Sequence, residues 1–300
     1  MDRRVAFVSG ASRGIGAESA VALARAGFDV AITARTLDAG EAYDHVGKIA
    51  PLPGSLRATA AAVEAAGGKA LCLQADILNA DAIDQAAQSA LDEFGRIDLL
   101  FNNAIYQGAG VQERVLEVTS DQVRAILQGN VLTPLALVQR LLPTMLEQSS
   151  ATIINMLSGT AFIDPPAPAD QGGWGFAYPA SKAALQRMAG ALRAEYPDSG
   201  LRVLNIEPGL VMTELHKASG IDEKVLARFE PTPASSIAAV IAWLADNDPS
   251  DEWKAQPCMR GPAMAEELGL LDVPSFLPET APDSGEARSR DEGGSHVQTR

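Results

Sequence analysis

Cysteine and histidine are nearly missing from this chain of 300 residues: it has only Cys72, Cys258, His45, His216 and His296. Cys72 sits in the apolar run ALCLQ, which reads as a buried strand, so a disulfide framework is not expected. The histidines are scattered with no ligand spacing, which argues against a structural metal. Cations are scarce as well. Lys and Arg number 24 against 38 Asp and Glu, a net charge of −14. Such a field repels nucleic acid and anionic membrane surfaces. No apolar stretch reads as long enough to span a bilayer. The strand-like run VAFVS meets a glycine turn before a signal-peptide pattern could form. These absences lead to the expectation of a cytoplasmic protein with no nucleic-acid or membrane partner.

Short β-branched or apolar runs alternate with longer runs of helical period. The pattern predicts strands over 5–9, 29–33, 70–74, 99–102, 152–156 and 201–206. It predicts helices over 15–26, 55–66, 80–94, 120–147 and 178–196. Strand–helix alternation of this length implies an α/β fold, with one parallel sheet covered by helices on both faces. Two stretches break the pattern. Residues 36–54 form a long connection after the second strand. Residues 272–300 are rich in Pro, Gly, Ser and charge, with almost no apolar periodicity after Leu277. The expected division is a catalytic domain over 1–271 and a largely disordered tail over 272–300, at least beyond Pro282.

The first strand runs into Ser9-Gly-Ala-Ser-Arg-Gly-Ile-Gly16 and then a helix. Gly10, Gly14 and Gly16 allow a tight turn and a close backbone approach to a pyrophosphate. The helix beside them points N–H groups and its positive dipole end at that anion. The end of the second strand distinguishes the two nicotinamide cofactors. An acid there suits the ribose 2′-OH of NAD, whereas a 2′-phosphate needs a cation. The sequence has Arg35 there and no acid until Asp38, and Arg13 inside the glycine loop adds a second cation. NADP(H) is the expected cofactor.

Tyr178 and Lys182 are four apart at a predicted helix start, so both project from one face. A free phenol titrates near 10, too high for efficient proton transfer at neutral pH, and a nearby ammonium would lower it. Ser158 follows the strand TIINM and could hydrogen-bond the same substrate oxygen. An ordinary amphipathic helix also yields Tyr-x-x-x-Lys, so the pair alone does not decide.

The pair does not stand alone. The glycine loop, Asp76 in ADI, Asn102-Asn-Ala104 and Asn130 in GNV occur in order. Ser158, Tyr178-Pro-Ala-Ser-Lys182 and Pro208-Gly-Leu-Val-Met-Thr213 follow. Together they resemble the short-chain dehydrogenase/reductase family to about Leu271. Arg35-Thr-Leu, GKIAPLPG and AAGGKA show a weaker resemblance to its hydroxysteroid-dehydrogenase-like branch. The resemblance implies a single Rossmann-type, doubly wound domain. Ser158, Tyr178 and Lys182 would be the catalytic serine, the acid/base tyrosine and its lysine. Asn130 would kink its helix and hold a water of the proton relay. The cofactor would contact Gly10, Ser12, Arg13, Gly14, Ile15, Gly16, Arg35, Asp76, Ile77, Asn103 and Ala104. It would also contact Tyr178, Lys182, Pro208, Gly209, Val211 and Thr213. Asp76 would lie beside the adenine and Asn103 beside the ribose.

Four positions depart from the family pattern. Ser9 replaces a threonine and keeps the hydroxyl. Ile105 replaces the glycine of Asn-Asn-Ala-Gly. AQPCMRGPAMAEELGLL stands where a glycine-rich terminal strand motif is usual. The stretch between Ser158 and Tyr178 is longer than usual. It carries Pro165, Pro166 and Pro168, then Gly172, Gly173 and Gly175, and the aromatics Phe162, Trp174 and Phe176. Those aromatics either pack inward as a satellite core or line the substrate cleft, opposite 210–229. The second option predicts a bulky apolar ketone or aldehyde.

The expected activity is hydride transfer between NADP(H) and a small-molecule carbonyl/alcohol substrate. Two other readings stay open: an epimerase or dehydratase, whose G-x-x-G-x-x-G spacing this chain lacks, and a catalytically silent NADP-binding or scaffold protein. The resemblance also implies a homodimer or homotetramer built through the helices at 120–147 and 178–196.

Overall fold

The computed structural model describes residues 3–45, 48–213 and 230–278. Its strands are β1 Arg4–Ser9, β2 Phe28–Ala34, β3 Ala42–His45, β4 Lys48–Pro51, β5 Ala70–Gln74, β6 Leu99–Asn102, β7 Ala151–Met156, β8 Leu201–Glu207 and β9 Met259–Arg260. Its α-helices are α1 Gly14–Arg25, α2 Leu56–Ala65, α3 Ala80–Phe94, α4 Ser120–Leu127, α5 Thr133–Leu146, α6 Ala177–Glu195, α7 Ala234–Asp246, α8 Asp251–Ala255 and α9 Gly261–Glu267. Seven strands form one sheet in the order β5-β2-β1-β6-β7-β8-β9, and every neighbouring pair is parallel.

Successive residues of a strand point to opposite faces, and here both faces are apolar. Ala6 and Val8 of β1 pack with residues of α1, α2 and α7. Val5 and Phe7 pack with residues of α3, α5 and α6. This burial on both faces is why the strands read as continuous apolar runs. The chain adds strands outward from β1 to β5, then returns to place β6 on the other side of β1. The crevice at that reversal, beyond the carboxyl ends of β1 and β6, is where such sheets bind ligands.

The six predicted strands and five predicted helices are all present within a residue or two. Others were not anticipated. The connection over 36–54 holds the antiparallel hairpin β3–β4. Two residues, Met259 and Arg260, extend the sheet beside Ile206 and Glu207, without the glycine-rich motif usual at that position. The predicted helix 120–147 is α4 and α5 joined by a π-helical turn, Gln128–Leu132, which contains Asn130. This unit corrects one expectation. Ser120–Leu146 is 27 residues long and contains an 18-residue window of mean hydropathy 1.2, enough by length and composition to cross a membrane. Half of that window is buried in the fold, because its apolar side covers the sheet.

The described residues just past 271 contact the fold. Ser275 Oγ donates to Glu18 Oε1 at 2.5 Å, and the Phe276 N–H donates to Glu18 Oε2 at 2.6 Å. Arg25 lies over the Phe276 ring at 4.9 Å. Ser235 and Ser236 of α7 donate to the carbonyls of Val273 and Leu271. Residues 271–277 therefore strap α1 to α7. The part of the tail expected to be disordered, from 282, lies outside the described residues.

Candidate active site

The glycine loop is shaped by close contacts. Gly10 and Gly14 have φ of 69° and 55°, in the left-handed region. A Cβ on Gly16 would lie 2.3 Å from Gly10 O and 2.6 Å from Asn103 Nδ2. No side chain caps the N-terminus of α1, and its first turn carries no acid. Those N–H groups and the dipole are left to an anion. The Ser9 hydroxyl accepts from the N–H groups of Asn103 and Ala104 at 3.0 and 3.1 Å, so serine does serve at this position. Asn103 Nδ2 donates to Ser9 O and Gly10 O. Its amide thus holds the turn, a role the sequence did not suggest.

Arg13 and Arg35 both stand at the end of β2. Arg13 donates to Thr36 Oγ1 and to the carbonyls of Leu52, Pro53 and Gly54, which ties the hairpin connection to the glycine loop. The Arg35 guanidinium lies 4.9 Å from the Tyr43 ring. Ser12 is buried and Ile15 half-buried in the same loop. At the end of β5, Asp76 accepts from the Leu78 N–H at 2.9 Å, and Ile77 lies against Gly129 of the π-helical turn. After β8, Pro208 precedes Gly209, which has φ of 66° and donates to Glu207 Oε2. Val211 is buried, and the Thr213 N–H donates to Val211 O. The segment 214–229, with part of the expected mobile wall, lies outside the described residues.

Ser158 stands two residues past the end of β7, close enough to Tyr178 to act on its phenol. It also shares a 3.0 Å hydrogen bond with Thr160 Oγ1. Lys182 is 1% exposed, donates to Met156 O at 2.8 Å, and lies 5.9 Å from the centre of the Tyr178 ring. Asn130 bridges two elements. Its Oδ1 accepts from the Tyr106 N–H at 2.8 Å, and its Nδ2 donates to Ser181 Oγ at 3.0 Å. Ser181 in turn donates to Tyr178 O. Ser181, Thr160 and Tyr106 were missed as site residues. Only Ser181 left a trace in the sequence, inside Tyr-Pro-Ala-Ser-Lys.

The electrostatics differ from the expected arrangement. Burial pushes the Tyr178 phenol up to about 12, and the bond to Ser158 only offsets part of this. Burial also pushes the Lys182 ammonium down to about 7. Desolvation dominates both shifts, so in the protein alone the lysine does not bring the phenol toward neutrality. Cys258 is nearby and buried, and burial holds its thiol up at about 12.

The aromatic loop lines a cavity. Trp174 and Phe162 line a chamber of about 850 Å³ with Phe176, Val115 and Leu116. On α6 the lining residues are Pro179, Ala180 and Ala183. At about 100° per residue these sit on the side of the helix away from Tyr178 and Lys182. Trp174 lines this space, and most of the wall expected opposite it, 214–229, lies outside the described residues. Thr160, in the chamber wall, is the contact to Ser158. Trp174→Ala should cost stability of about 2 kcal/mol and slow small and bulky substrates alike. Thermal melting and a size series of ketones check this. A KM increase confined to bulky ketones would place Trp174 in the cleft.

A family model described as short chain dehydrogenase matches residues 4–224. An uncharacterized oxidoreductase of Methylorubrum extorquens is 33% identical over 257 residues, covering 83% of this chain and 92% of that protein. A 3-oxoacyl-(acyl-carrier-protein) reductase of Synechocystis is 29% identical over 252 residues, covering 82% and 90%. Among solved structures, a metagenomic short-chain oxidoreductase in complex with NADP is 28% identical with a TM-score of 0.62, covering 82% of this chain and 91% of that one. A 3-oxoacyl-(acyl-carrier protein) reductase from Brucella melitensis in complex with NAD is 25% identical with a TM-score of 0.67, covering 87% and 96%. The matched residues run from β1 through the glycine loop, Ser158, Tyr178 and Lys182, and on this evidence the chain belongs to the short-chain dehydrogenase family of oxidoreductases.

Proposed function

We propose that this chain reduces a carbonyl substrate with NADPH, or runs the reverse oxidation, with Tyr178 as the acid/base. The observation that carries the reading is the pairing of Ser158 with Tyr178 at the carboxyl end of β7, with Lys182 one turn along α6. The uncapped start of α1 stands at the carboxyl end of the same sheet. The residues suit a nicotinamide cofactor. The α1 N-terminus would hold the pyrophosphate, Asp76 and Ile77 would lie beside the adenine, and Thr213 and Val211 would lie near the nicotinamide. Bound there, the cofactor supplies the hydride. Ser158 would hold the substrate oxygen and Tyr178 would give it a proton. A protonated phenol at neutral pH is in the form that donates to a carbonyl oxygen during reduction. A silent binding protein has no use for this arrangement of serine, tyrosine and lysine.

Arg13 and Arg35 support NADP(H) over NAD(H): Arg35 directly follows β2 and Arg13 reaches Thr36 from the glycine loop, while the acids nearby, Glu41 and Asp38, are engaged by the Leu37 N–H and Tyr43 hydroxyl and by Arg57. The relatives solved with NADP agree with this, although the Brucella reductase was solved with NAD. Assembly into a homodimer or homotetramer would use α4–α5 and α6. Exposed Leu132 and Leu135 on that side favour it.

The test is a panel of ketones, aldehydes and alcohols followed by cofactor absorbance, with NADPH and NADH in parallel. Arg35→Asp should weaken NADPH binding by about tenfold or more and relatively favour NADH, since an acid repels the 2′-phosphate and accepts from a 2′-OH. A wild-type preference for NADH would sink the cofactor assignment.

A further inference from the structure

Three buried asparagines stand side by side on neighbouring strands. Register pairs Asn102 of β6 with Asn155 of β7, and Asn155 with Asn205 of β8. They are 2%, 0% and 4% exposed. Their strand neighbours Phe101, Ile154 and Leu204 belong to the core on the α1 side, so all three amides project toward the α6 side. Asn102 Nδ2 donates to Asn155 Oδ1 at 2.9 Å, and Asn155 Nδ2 donates to Asn205 Oδ1 at 3.1 Å. Asn205 Nδ2 donates to Gln186 O of α6 at 3.2 Å and to Pro257 O at 3.3 Å.

The last link fixes the direction of the chain. A main-chain carbonyl only accepts, so Asn205 must turn its NH₂ to Gln186 and Pro257. Its oxygen then has to accept from Asn155, and that of Asn155 from Asn102. The ladder residues and their acceptor Gln186 lie close in sequence to residues of the candidate site. Gln186 lies one helical turn beyond Lys182, Asn155 lies three residues before Ser158, and Asn102 precedes Asn103, which holds the glycine loop. Apolar side chains of similar size would fill the same space without polar groups to satisfy, so stability alone does not call for this ladder. A directed polar chain, here with Asn102 Oδ1 left without a partner at its far end, instead selects one arrangement of the elements it joins.

We propose that Asn205 is a positioning residue. Through the Gln186 carbonyl and Asn155 it fixes α6, which carries Tyr178 and Lys182, against the end of β7, which carries Ser158. This rests on the function proposed above. Asn130 holds the first turn of α6 through Ser181, Lys182 ties that turn to Met156 O, and Arg193 ties the last turn to Val203 O; Asn205 supplies the tie at the middle of the helix.

Asn205→Leu tests it, with hydrogen-exchange mass spectrometry, melting and steady-state kinetics run together. Amide exchange across α6 should speed up about tenfold while α1 and β1 keep wild-type rates. Turnover should fall about tenfold with KM for NADPH within about twofold, because alignment is lost and not binding. The solvent deuterium isotope effect on kcat should rise, since proton transfer becomes slower. In Asn102→Leu/Asn155→Leu/Asn205→Leu no amide donor of the ladder is left stranded, so Tm should recover while kcat stays low. Where Asn205→Leu does not fold, Asn205→Ser should show the same pattern at smaller amplitude. Wild-type kcat and isotope effect in a folded variant would overturn the proposal, as would faster exchange spread evenly over the whole chain. If the wild type reduces no member of the ketone panel, the proposed function fails, and the exchange pattern alone decides whether Asn205 holds α6.

Discussion

Tyr178→Phe is expected to lower kcat by about 10³-fold or more while the Kd for NADPH moves less than about threefold. The substitution removes one hydroxyl and leaves the ring. That hydroxyl is the group that meets Ser158 at the start of α6. Burial holds it protonated up to about 12, which suits a donor to a developing alkoxide. Lys182 would keep its bond to Met156 O, so the cofactor side of the site should survive. Ser158→Ala should cost less, because the phenol remains to donate. Single-turnover absorbance and a fluorescence titration separate the two effects. Turnover within about tenfold of wild type would mean that the proton comes from another group, and the assignment of Tyr178 would be wrong.

Much of the fold was legible because its signals are local. A strand buried on both faces must be apolar throughout, and β1, β2, β6 and β7 read that way. The glycine loop was legible because Gly10 and Gly16 sit where a side chain would collide with Ala104 or Gly10 itself. The missed parts lack such signals. Helix α7 is apolar nearly all round, since it lies between α1 and α9, so it shows little amphipathic period. Strand β9 is two residues long and exists only because β8 offers it an edge. The strap over 271–277 depends on Glu18, some 250 residues earlier in the sequence, accepting from Ser275 and Phe276. In the site, the spacing of Tyr178 and Lys182 was readable and their environment was not. Desolvation is set by everything packed around a group, and no local pattern reports it. The same holds for Trp174. Its place in the loop was plain, but which side of α6 the loop covers is a property of the tertiary fold.

Lys182→Met should abolish activity and yet raise Tm at pH 6. Burial lowers the ammonium to about 7, against an ordinary value near 10.4 in the unfolded chain. Between these values the unfolded chain binds more protons than the native one, so wild-type stability rises with pH through that window. Above about 10 the lysine is neutral in both states and the penalty is absent. Below about 7 it is charged in both, and the native state carries the full cost of a buried ammonium. A neutral methionine of similar length removes that cost. It also leaves Met156 O without its donor, so the net gain at pH 6 is smaller, about 2 kcal/mol or a few degrees in Tm. The gap should close as pH rises toward 10, and past that point the variant should be the less stable protein. Calorimetry from pH 6 to 10 reads this directly. Activity should fall in the same variant by at least about 10²-fold, and NADPH should bind more weakly, because the ammonium that costs stability is the one placed to serve the tyrosine and the cofactor. A variant that melts below the wild type at pH 6 would show that the ammonium is well satisfied where it sits, and that its depressed pKa does not describe the protein.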